Sequence, residues 1–506
     1  MATNATNADD VPDAYEALLD RARRWNSVSS AAGVLSWDQQ VMMPEGGTPA
    51  RSRQLSTLSS LEHELVTADE TGELLDELED VDLTDEQAAV VREISREYER
   101  ANAVPQELVE EISEASTEAL QAWEEAKAED DFDTFAPHLQ KHVELKREYA
   151  EAIDPDRDPY EVLFEDYEPC LPLDQAESIL EELRETLVPM IADIRESDAD
   201  LAVDTFEGHF DEETQEELSR EVLDVIGYDF DRGRLDVSSH PFTSGNQFDC
   251  RVTTRFDESD PLGAFLSTVH EFGHAQYNLG LPAEEYGTPL GESRDLSVHE
   301  SQSRLWENHV GRSRAFWELL LPTFQEYFPS TEDATVEDAY EAVNQVYEDN
   351  LIRVEADELT YHLHIVVRFE IERELIAGEL DVEDVPEAWN DKYEEYLGIR
   401  PENDAEGCLQ DIHWAHGNFG YFPTYSLGSV MAAQLYEAAE EDIDDLEGKI
   451  AAGDFDDLHE WLADNVHQHG SRYETNELVK GATGEDFSAD AFVDYVDEKY
   501  GELYDL

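Results

Sequence analysis

The sequence predicts a mostly helical, all-α protein, and three observations lead to that prediction. Apolar residues recur every three or four positions through long segments, which is the spacing of one face of an α-helix. Alternation typical of a strand is confined to one stretch, residues 236–260. Glycine and proline are concentrated in four segments that we interpret as loops: 44–49, 153–172, 279–291 and 400–428.

The predicted elements follow from these patterns in chain order. The clearest helical periodicity covers residues 11–37, 85–101, 173–194, 336–376 and 427–443. Between the third and fourth of these segments, a turn signal at Thr243-Ser244-Gly245-Asn246 is followed by alternation from Phe248 to Thr254. This part of the chain is predicted to form a short strand or hairpin.

The domain organisation predicted from the sequence is simple. A chain of 506 residues is long enough for two or three domains, but no composition break or low-complexity linker divides it. We therefore expect a flexible N-terminal tail over residues 1–10 and a single domain over residues 11–506, arranged as two lobes.

The charge of the chain excludes several partners. It carries 124 Asp and Glu against 33 Lys and Arg, a formal net charge of −91. A nucleic acid would be repelled by this field, and so would an anionic membrane surface. The apolar stretches are far shorter than the roughly 18 residues that a spanning helix needs.

The same charge is compatible with a folded protein. Aromatic residues make up 10% of the chain and apolar residues 40%, which is enough for a core in a chain of this length. Lysine is scarce, and the acidic residues are spread along the whole sequence. We interpret them as a solvated surface adapted to a high-salt cytoplasm, where screening acts over about 3 Å at 1 M salt.

The cysteines and the N-terminal sequence also favour the cytoplasm. Cys170, Cys250 and Cys408 are odd in number and far apart, so a disulfide framework is not expected. The first residues lack the basic and apolar regions of a secretory signal.

The strongest chemical signal is the segment His270-Glu271-Phe272-Gly273-His274, which lies inside a helical pattern. Two histidines four residues apart project from the same face of a helix and can bind one Zn²⁺. Glu271, next to that face, can act as the general base on a metal-activated water. Glu300 follows His274 after a loop rich in glycine and proline, and we predict that it is the third ligand.

Several further motifs make the chain resemble the thermostable carboxypeptidase family of metallopeptidases, the Taq carboxypeptidase type. The resemblance covers nearly the whole chain and rests on ordered segments: Leu35-Ser36-Trp37-Asp38, His240-Pro241-Phe242, Asp249-Cys250-Arg251-Val252-Thr253, the His270–His274 segment, His299-Glu300-Ser301-Gln302, Ile352-Arg353-Val354-Glu355-Ala356-Asp357 and Gly407-Cys408-Leu409-Gln410-Asp411-Ile412-His413-Trp414.

This resemblance implies a fold and an activity. The fold would be similar to that of neurolysin-like and angiotensin-converting-enzyme-like peptidases, with a deep groove between two lobes and a small antiparallel sheet near the metal. The activity would be the removal of single residues from the free C-termini of peptides, with broad specificity. A homodimer is expected, with zinc as the metal and Co²⁺ as a substitute.

Peptide hydrolysis sets further requirements for this site. Donors must stabilise the developing oxyanion, and the candidates are His413, Tyr421 and Tyr425, which we leave unordered. A carboxypeptidase also needs a cation for the terminal carboxylate of its substrate. Arg353 is our candidate, because a guanidinium binds a carboxylate through two hydrogen bonds.

Other residues are predicted to assist, each with a structural alternative. Arg251 could share the role of Arg353 or pair with the nearby Asp249. His240 could bind the substrate or serve as a structural histidine in a proline turn, and His299 is expected to support the ligands or face the substrate. We also expect Asp357 and Asp411 either to orient the ligating imidazoles or to form ordinary ion pairs with arginine.

Two other functions stay open at this point. One is a metallo-oligopeptidase or dipeptidase of the same architecture, which would not need Arg353 at the end of the groove. The other belongs to a different class, a non-catalytic acidic binding protein, for which Glu271 would have no chemical role.

Overall fold

Helices build most of the chain in the computed structural model, which describes residues 12–347 and 350–506. This confirms the all-α fold class predicted from the apolar spacing. The predicted tail, residues 1–10, lies outside the described residues. Within the described ranges, none of the helices combines the length and the apolar character needed to cross a membrane.

The first part of the chain is helical up to the sheet. Its α-helices are α1 (Asp13–Val41), α2 (Thr48–Val66), α3 (Asp69–Leu78), α4 (Asp85–Ala103), α5 (Gln106–Glu129), α6 (Phe132–Ile153), α7 (Pro159–Phe164), α8 (Leu173–Glu196) and α9 (Glu212–Val225). Helix α4 begins where the sequence predicts it. There Thr84 and Gln87 form a capping box that satisfies two free amide groups.

A small sheet of three strands follows: β1 (Gly233–Val237), β2 (Thr243–Gly245) and β3 (Cys250–Thr254). Strands β2 and β3 pair in antiparallel fashion, which confirms the predicted hairpin. Strand β1 pairs with β3 in parallel, so the sheet is mixed and the expectation of an antiparallel sheet is wrong in this respect. The chain reverses direction twice between β1 and β3, and two reversals restore the original direction.

The rest of the chain is again helical. Its α-helices are α10 (Pro261–Gly280), α11 (Leu296–Arg304), α12 (Arg314–Tyr327), α13 (Val336–Val343), α14 (Thr360–Ala377), α15 (Val385–Tyr396), α16 (Pro423–Asp442), α17 (Leu446–Ala451), α18 (Asp456–Asn465), α19 (Thr475–Thr483) and α20 (Asp490–Tyr504). A π-helical segment, Leu305–Gly311, continues directly from α11.

The continuous helix predicted over residues 336–376 is wrong in its middle. Helix α13 ends at Val343 and α14 begins at Thr360, and the described residues between them include a short 3₁₀ turn, Arg353–Glu355. The carboxylate of Asp357 accepts the amide hydrogens of Leu359 and Thr360. These bonds start a new helix where apolar spacing alone predicts none.

Helices α10 and α16 both pack closely against α11. A Cβ atom on Gly273 of α10 would lie 2.4 Å from the carbonyl oxygen of Gln302 in α11. A Cβ atom on Gly428 of α16 would lie 2.6 Å from the Cβ of Glu300. Only glycine permits both approaches, so α11 is held tightly between α10 and α16.

Candidate active site

Three side chains from neighbouring helices converge on one point. His270 and His274 project from α10, and Glu300 projects from α11. The Nε2 atoms of the two histidines lie 3.9 and 3.4 Å from the Oε2 atom of Glu300. Within residues 12–347 and 350–506, these are the three side chains whose ligand atoms cluster closely enough to hold one metal ion.

The outer nitrogen of each imidazole is held by an acceptor. The Nδ1 atom of His270 donates to Glu307, at 2.9 Å, and that of His274 donates to the backbone carbonyl of His299, at 3.0 Å. A carbonyl and an ionised carboxylate can only accept, so each hydrogen is on Nδ1 and each Nε2 lone pair points inward. Two imidazole nitrogens and a carboxylate oxygen fit the donor set of a catalytic zinc site.

Arginines surround the two carboxylates of this cluster. Arg304 donates to Glu300 at 2.7 Å and to Glu307 at 3.2 Å, while Arg312 donates to Glu307 at 3.0 Å. Burial by itself raises the pKa of Glu300, but Arg304 and the two histidines lower it well below its usual range. Both carboxylates are therefore anionic at neutral pH.

Glu307 is a site residue that our sequence reasoning missed. It lies on the π-helical segment, which is a rare backbone form often found at functional sites. It follows Glu300 by seven residues, and residues seven apart share one face of a helix. That spacing is a signal in the sequence that could have identified it.

The side chain of Glu271 is held by the edge strand of the sheet. The hydroxyl of Thr243 on β2 lies 2.7 Å from the Oε2 atom of Glu271. Glu271 is buried, and together with His270 it lines a cavity of about 620 Å³. The predicted hairpin therefore supports the predicted base directly.

Arg353 lines the same cavity from the opposite side. Its Nε and Nη2 atoms donate to Asp411, at 3.1 and 2.8 Å, and its Nη1 atom donates to the hydroxyl of Tyr361, at 3.0 Å. Asp411 also accepts from the fully buried Arg368, at 2.5 Å. The cavity thus joins the proposed base and the proposed carboxylate-binding arginine.

The three candidate oxyanion donors lie together beside Arg353. The ring of Tyr421 is 5.4 Å from that of His413 and 5.2 Å from that of Tyr425. The guanidinium of Arg353 lies 5.3 Å from the ring of Tyr425. Tyr361, which we did not predict, completes this cluster, at 5.9 Å from Tyr425.

Burial determines the protonation of these groups. It lowers the pKa of His413 to about 4, although Asp411 opposes this effect, so the ring is neutral at pH 7. Burial also raises the pKa of Tyr421 and that of Tyr425. Both phenols therefore keep the hydrogen that a donor to an oxyanion needs.

Two predicted substrate-binding residues, Arg251 and His240, are not among the residues that line the cavity. Arg251 donates to Asp249 at 2.6 Å and covers the ring of Trp37 at 4.2 Å, which is the structural alternative that we left open. The side chain of His240 is exposed, whereas its neighbour Pro241 lines the cavity.

The remaining predictions concern support of the metal ligands. The ring of His299 stacks on His274, at 4.5 Å, and its Nε2 atom lies 3.3 Å from Asn278. Asp357 and Asp411 do not orient the imidazoles, and for Asp411 the structure shows the alternative that we left open, pairing with arginine. Asp357 caps α14 and Asp411 pairs with arginines, because Glu307 and a backbone carbonyl already occupy those positions.

A helical fold that presents two histidines and a glutamate beside a buried second glutamate defines a metal-dependent hydrolase. The sequence profile of the carboxypeptidase Taq (M32) metallopeptidase family matches residues 17–500. The chain belongs to this family and is a metallocarboxypeptidase.

Individual relatives agree with this assignment. Thermostable carboxypeptidase 1 of Thermus thermophilus is 41% identical over 505 residues, a match that covers 97% of this chain and 99% of that protein. Carboxypeptidase 1 of Bacillus subtilis is 37% identical, with 96% and 98% covered. The crystal structure of the M32 carboxypeptidase from Deinococcus radiodurans has a TM-score of 0.94, at 39% identity, over 98% of this chain and all of that one.

Proposed function

We propose that this protein is a zinc-dependent carboxypeptidase that releases single amino acids from free peptide C-termini with broad specificity. The observation that carries the proposal is the shared cavity, which Glu271, His270 and Arg353 all line. A cation at that position can bind a terminal carboxylate, and an internal peptide segment has no such group.

Each side chain has a defined part in the proposed reaction. Zinc held by His270, His274 and Glu300 supplies Lewis acidity and lowers the pKa of a water molecule. Glu271 takes the proton from the attacking water on its carboxylate and returns it to the leaving amine. Thr243, by donating to that carboxylate, keeps it oriented toward the cavity.

The opposite side of the cavity binds and stabilises the substrate. Arg353 binds the terminal carboxylate, with its guanidinium held in place by Asp411 and the hydroxyl of Tyr361. Tyr425 and Tyr421, with His413, donate to the oxygen that becomes negative during attack. His299 and His240 have supporting roles in this proposal, while Arg251 pairs with Asp249 and covers Trp37.

Other parts of the proposal rest on composition and family resemblance. The two lobes on either side of the groove form one domain, residues 11–506, and the protein works as a homodimer. It acts in a high-salt cytoplasm, where the net charge of −91 keeps it soluble. Co²⁺ is the alternative metal.

The proposal is tested with peptides that differ only at the C-terminus. The purified protein is incubated in molar KCl with free-carboxylate and amidated forms of one peptide, with and without a chelator. We expect stepwise loss of C-terminal residues from the free form only, and none with the chelator. Internal cleavage of the amidated peptide would instead favour a metallo-oligopeptidase.

The Glu271→Gln variant tests the base within the same assay. We expect kcat to fall by about 10²–10⁴-fold while bound zinc is retained, because only proton transfer is removed. Glu258→Gln, at an exposed position, is the matched control and keeps wild-type activity. Equal activity of the Glu271→Gln variant and this control would contradict the proposed mechanism.

The Arg353→Lys variant tests the recognition of the carboxylate. Lysine keeps the charge but loses the two-pronged hydrogen bonding, so KM for free-carboxylate peptides should rise by about 10–100-fold. An unchanged KM would place carboxylate binding elsewhere.

A further inference from the structure

The short segment Tyr167-Glu168, which follows α7, contacts both sides of the active site. The Oε1 atom of Glu168 accepts the amide hydrogen of Ser297, at 2.8 Å, and the hydroxyl of Thr424, at 2.9 Å. Its Oε2 atom accepts the hydroxyl of Ser297, at 2.6 Å. One carboxylate thus binds two helices that are more than 100 residues apart in the sequence.

Tyr167 strengthens the same connection. Its backbone carbonyl accepts the amide hydrogen of Leu296, at 3.3 Å, and its ring packs edge-on against Tyr421, at 5.1 Å. The segment therefore holds the first turn of α11 through backbone and side-chain bonds. It also touches the aromatic cluster of the opposite wall.

The two helices that Glu168 joins carry residues of the reaction. Ser297 is in the first turn of α11, three residues before the ligand Glu300, and so lies on a neighbouring face of the same short helix. Thr424 is in the first turn of α16 and directly precedes Tyr425. A displacement of either turn would move a metal ligand or an oxyanion donor.

The electrostatic setting of Glu168 is unusual for a buried carboxylate. The side chain is fully buried, and none of the ion pairs in the described ranges includes it. Burial, and after it the nearby Asp295, raises the pKa of Glu168, while the donors from Ser297 and Thr424 oppose this rise. These hydrogen bonds, at the positive end of α11, replace a cation as its stabilising partners.

We propose that Glu168 is a positioning residue, which sets the distance between Glu300 and Tyr425 by joining the first turns of α11 and α16. The inference rests on the proposed function, because it assigns Tyr425 to oxyanion stabilisation. Neither the H-E-x-x-H segment nor the other motifs of the sequence include Glu168.

The test uses three variants of the full chain, one at Glu168 and one at each of its two partners, Ser297 and Thr424. Glu168→Gln keeps the shape of the side chain but replaces one acceptor oxygen with an amide donor. That donor would face Ser297 or Thr424, which themselves donate to Glu168, so a hydrogen bond is lost. Ser297→Ala removes the hydroxyl bond from Ser297 to Glu168, on the helix that carries Glu300. Thr424→Val removes the hydroxyl bond from Thr424 to Glu168, on the helix that carries Tyr425. Glu370→Gln is the control, since Glu370 is a largely buried carboxylate that binds Arg184 and Lys392.

Zinc affinity, kcat and KM are measured for each variant, with zinc affinity obtained by competition with a chromogenic chelator. For Glu168→Gln we expect kcat to fall by about 10–100-fold, KM to stay near the wild-type value and zinc to bind more weakly. Ser297→Ala should weaken zinc binding and leave kcat at saturating zinc nearly unchanged. Thr424→Val should lower kcat by about 3–10-fold and leave zinc affinity unchanged.

The outcomes separate this inference from the proposed function. If Glu168→Gln differs from Glu370→Gln only in thermal stability, with equal kcat and zinc affinity, the positioning role is overturned. If Glu168→Gln does not fold, the other two variants test the positioning role. A loss of zinc affinity in Ser297→Ala and a loss of kcat in Thr424→Val support the role, whereas equal effects of the two variants on both quantities overturn it. A wild-type protein without carboxypeptidase activity contradicts the proposed function, while zinc affinity still tests the link to α11.

Discussion

The candidate site has two parts that are built in different ways, and we call them the metal-binding wall and the facing wall. The metal-binding wall takes His270, His274 and Glu300 from two consecutive, tightly packed helices. The facing wall takes Arg353 from a 3₁₀ turn and Tyr425 from the start of α16, with loops between them. Metal ligands need a rigid geometry that regular helices supply, whereas the facing wall depends on anchors from other parts of the fold.

Those anchors are polar side chains, of which Glu372 is fully buried and Gln410 and Asp411 are partly buried. Gln410 accepts the amide hydrogen of Arg353 at 2.9 Å, and Asp411 binds its guanidinium. Glu372 of α14 accepts from the indole of Trp414 at 2.9 Å and from the amide of Gly420 at 3.0 Å. The loop that carries His413 is therefore fastened at both ends, which explains how irregular backbone can hold a precise site.

The sharpest test of this difference is Asp411→Asn. The change leaves the buried guanidinium groups of Arg353 and Arg368 without their anion, so the free energy of unfolding should fall by about 3–5 kcal/mol. The control Asp391→Asn breaks an exposed ion pair with Arg400 and should leave the free energy of unfolding nearly unchanged. Chemical denaturation measures both, and equal losses would mean that the facing wall does not depend on this anchor.

The metal-binding wall is tested by Glu307→Gln. An amide in place of the carboxylate weakens the orientation of the His270 ring, so zinc affinity should fall by about 10–100-fold. The free energy of unfolding should fall as well, because Arg304 and Arg312 also donate to this carboxylate. Glu318→Gln, at an exposed position of α12, is the control. Zinc affinity equal to that of the control would show that the ring is oriented by packing alone.

Two buried histidines report on the walls through pH. Burial lowers the pKa of His467, which bonds to Gln302 of α11, to about 3. It lowers that of His142, which bonds to the carbonyl of Ala415 in the facing wall, to about 4. The unfolded chain binds protons below about pH 6.5 and the folded protein does not, so stability falls as pH decreases.

The expected slope is about 1.4 kcal/mol per pH unit for each histidine, starting below about pH 6.5 and lasting until the folded pKa is reached. Denaturation between pH 7 and 4.5 measures it. The variants His467→Gln and His142→Gln should each reduce the slope of the free energy of unfolding against pH by about 1.4 kcal/mol per pH unit, the contribution of one histidine. A slope that neither variant changes would show that these two histidines do not contribute to the acid sensitivity.

The smallest expected effect concerns the sheet that supports Glu271. Thr243→Val removes one hydroxyl donor to the base, which corresponds to about 0.5–1.5 kcal/mol, so kcat/KM should fall by about 3–10-fold. Ser244→Ala, on the other face of β2, is the control. Identical kcat/KM values for the two variants would mean that Glu271 does not need this support.

The metal-binding wall was predictable because its signals are local. The four-residue spacing of His270 and His274 identifies a helix face, and Glu300 follows after a short loop. The facing wall was predicted by residue type but not by contact. Asp411 was predicted either to orient an imidazole or to pair with arginine, and it binds Arg353 and Arg368, which only the fold brings to it.

The sequence by itself determined the helical fold class and identified the proposed metal ligands, base and carboxylate-binding arginine, because periodicity and short spacings act within one or two helices. Only the tertiary structure decided which partners hold these groups: Glu307, Thr243, Asp411 and Glu168. The physical reason is that a buried polar atom must find a partner wherever the fold brings one, and no pattern along the chain encodes that encounter.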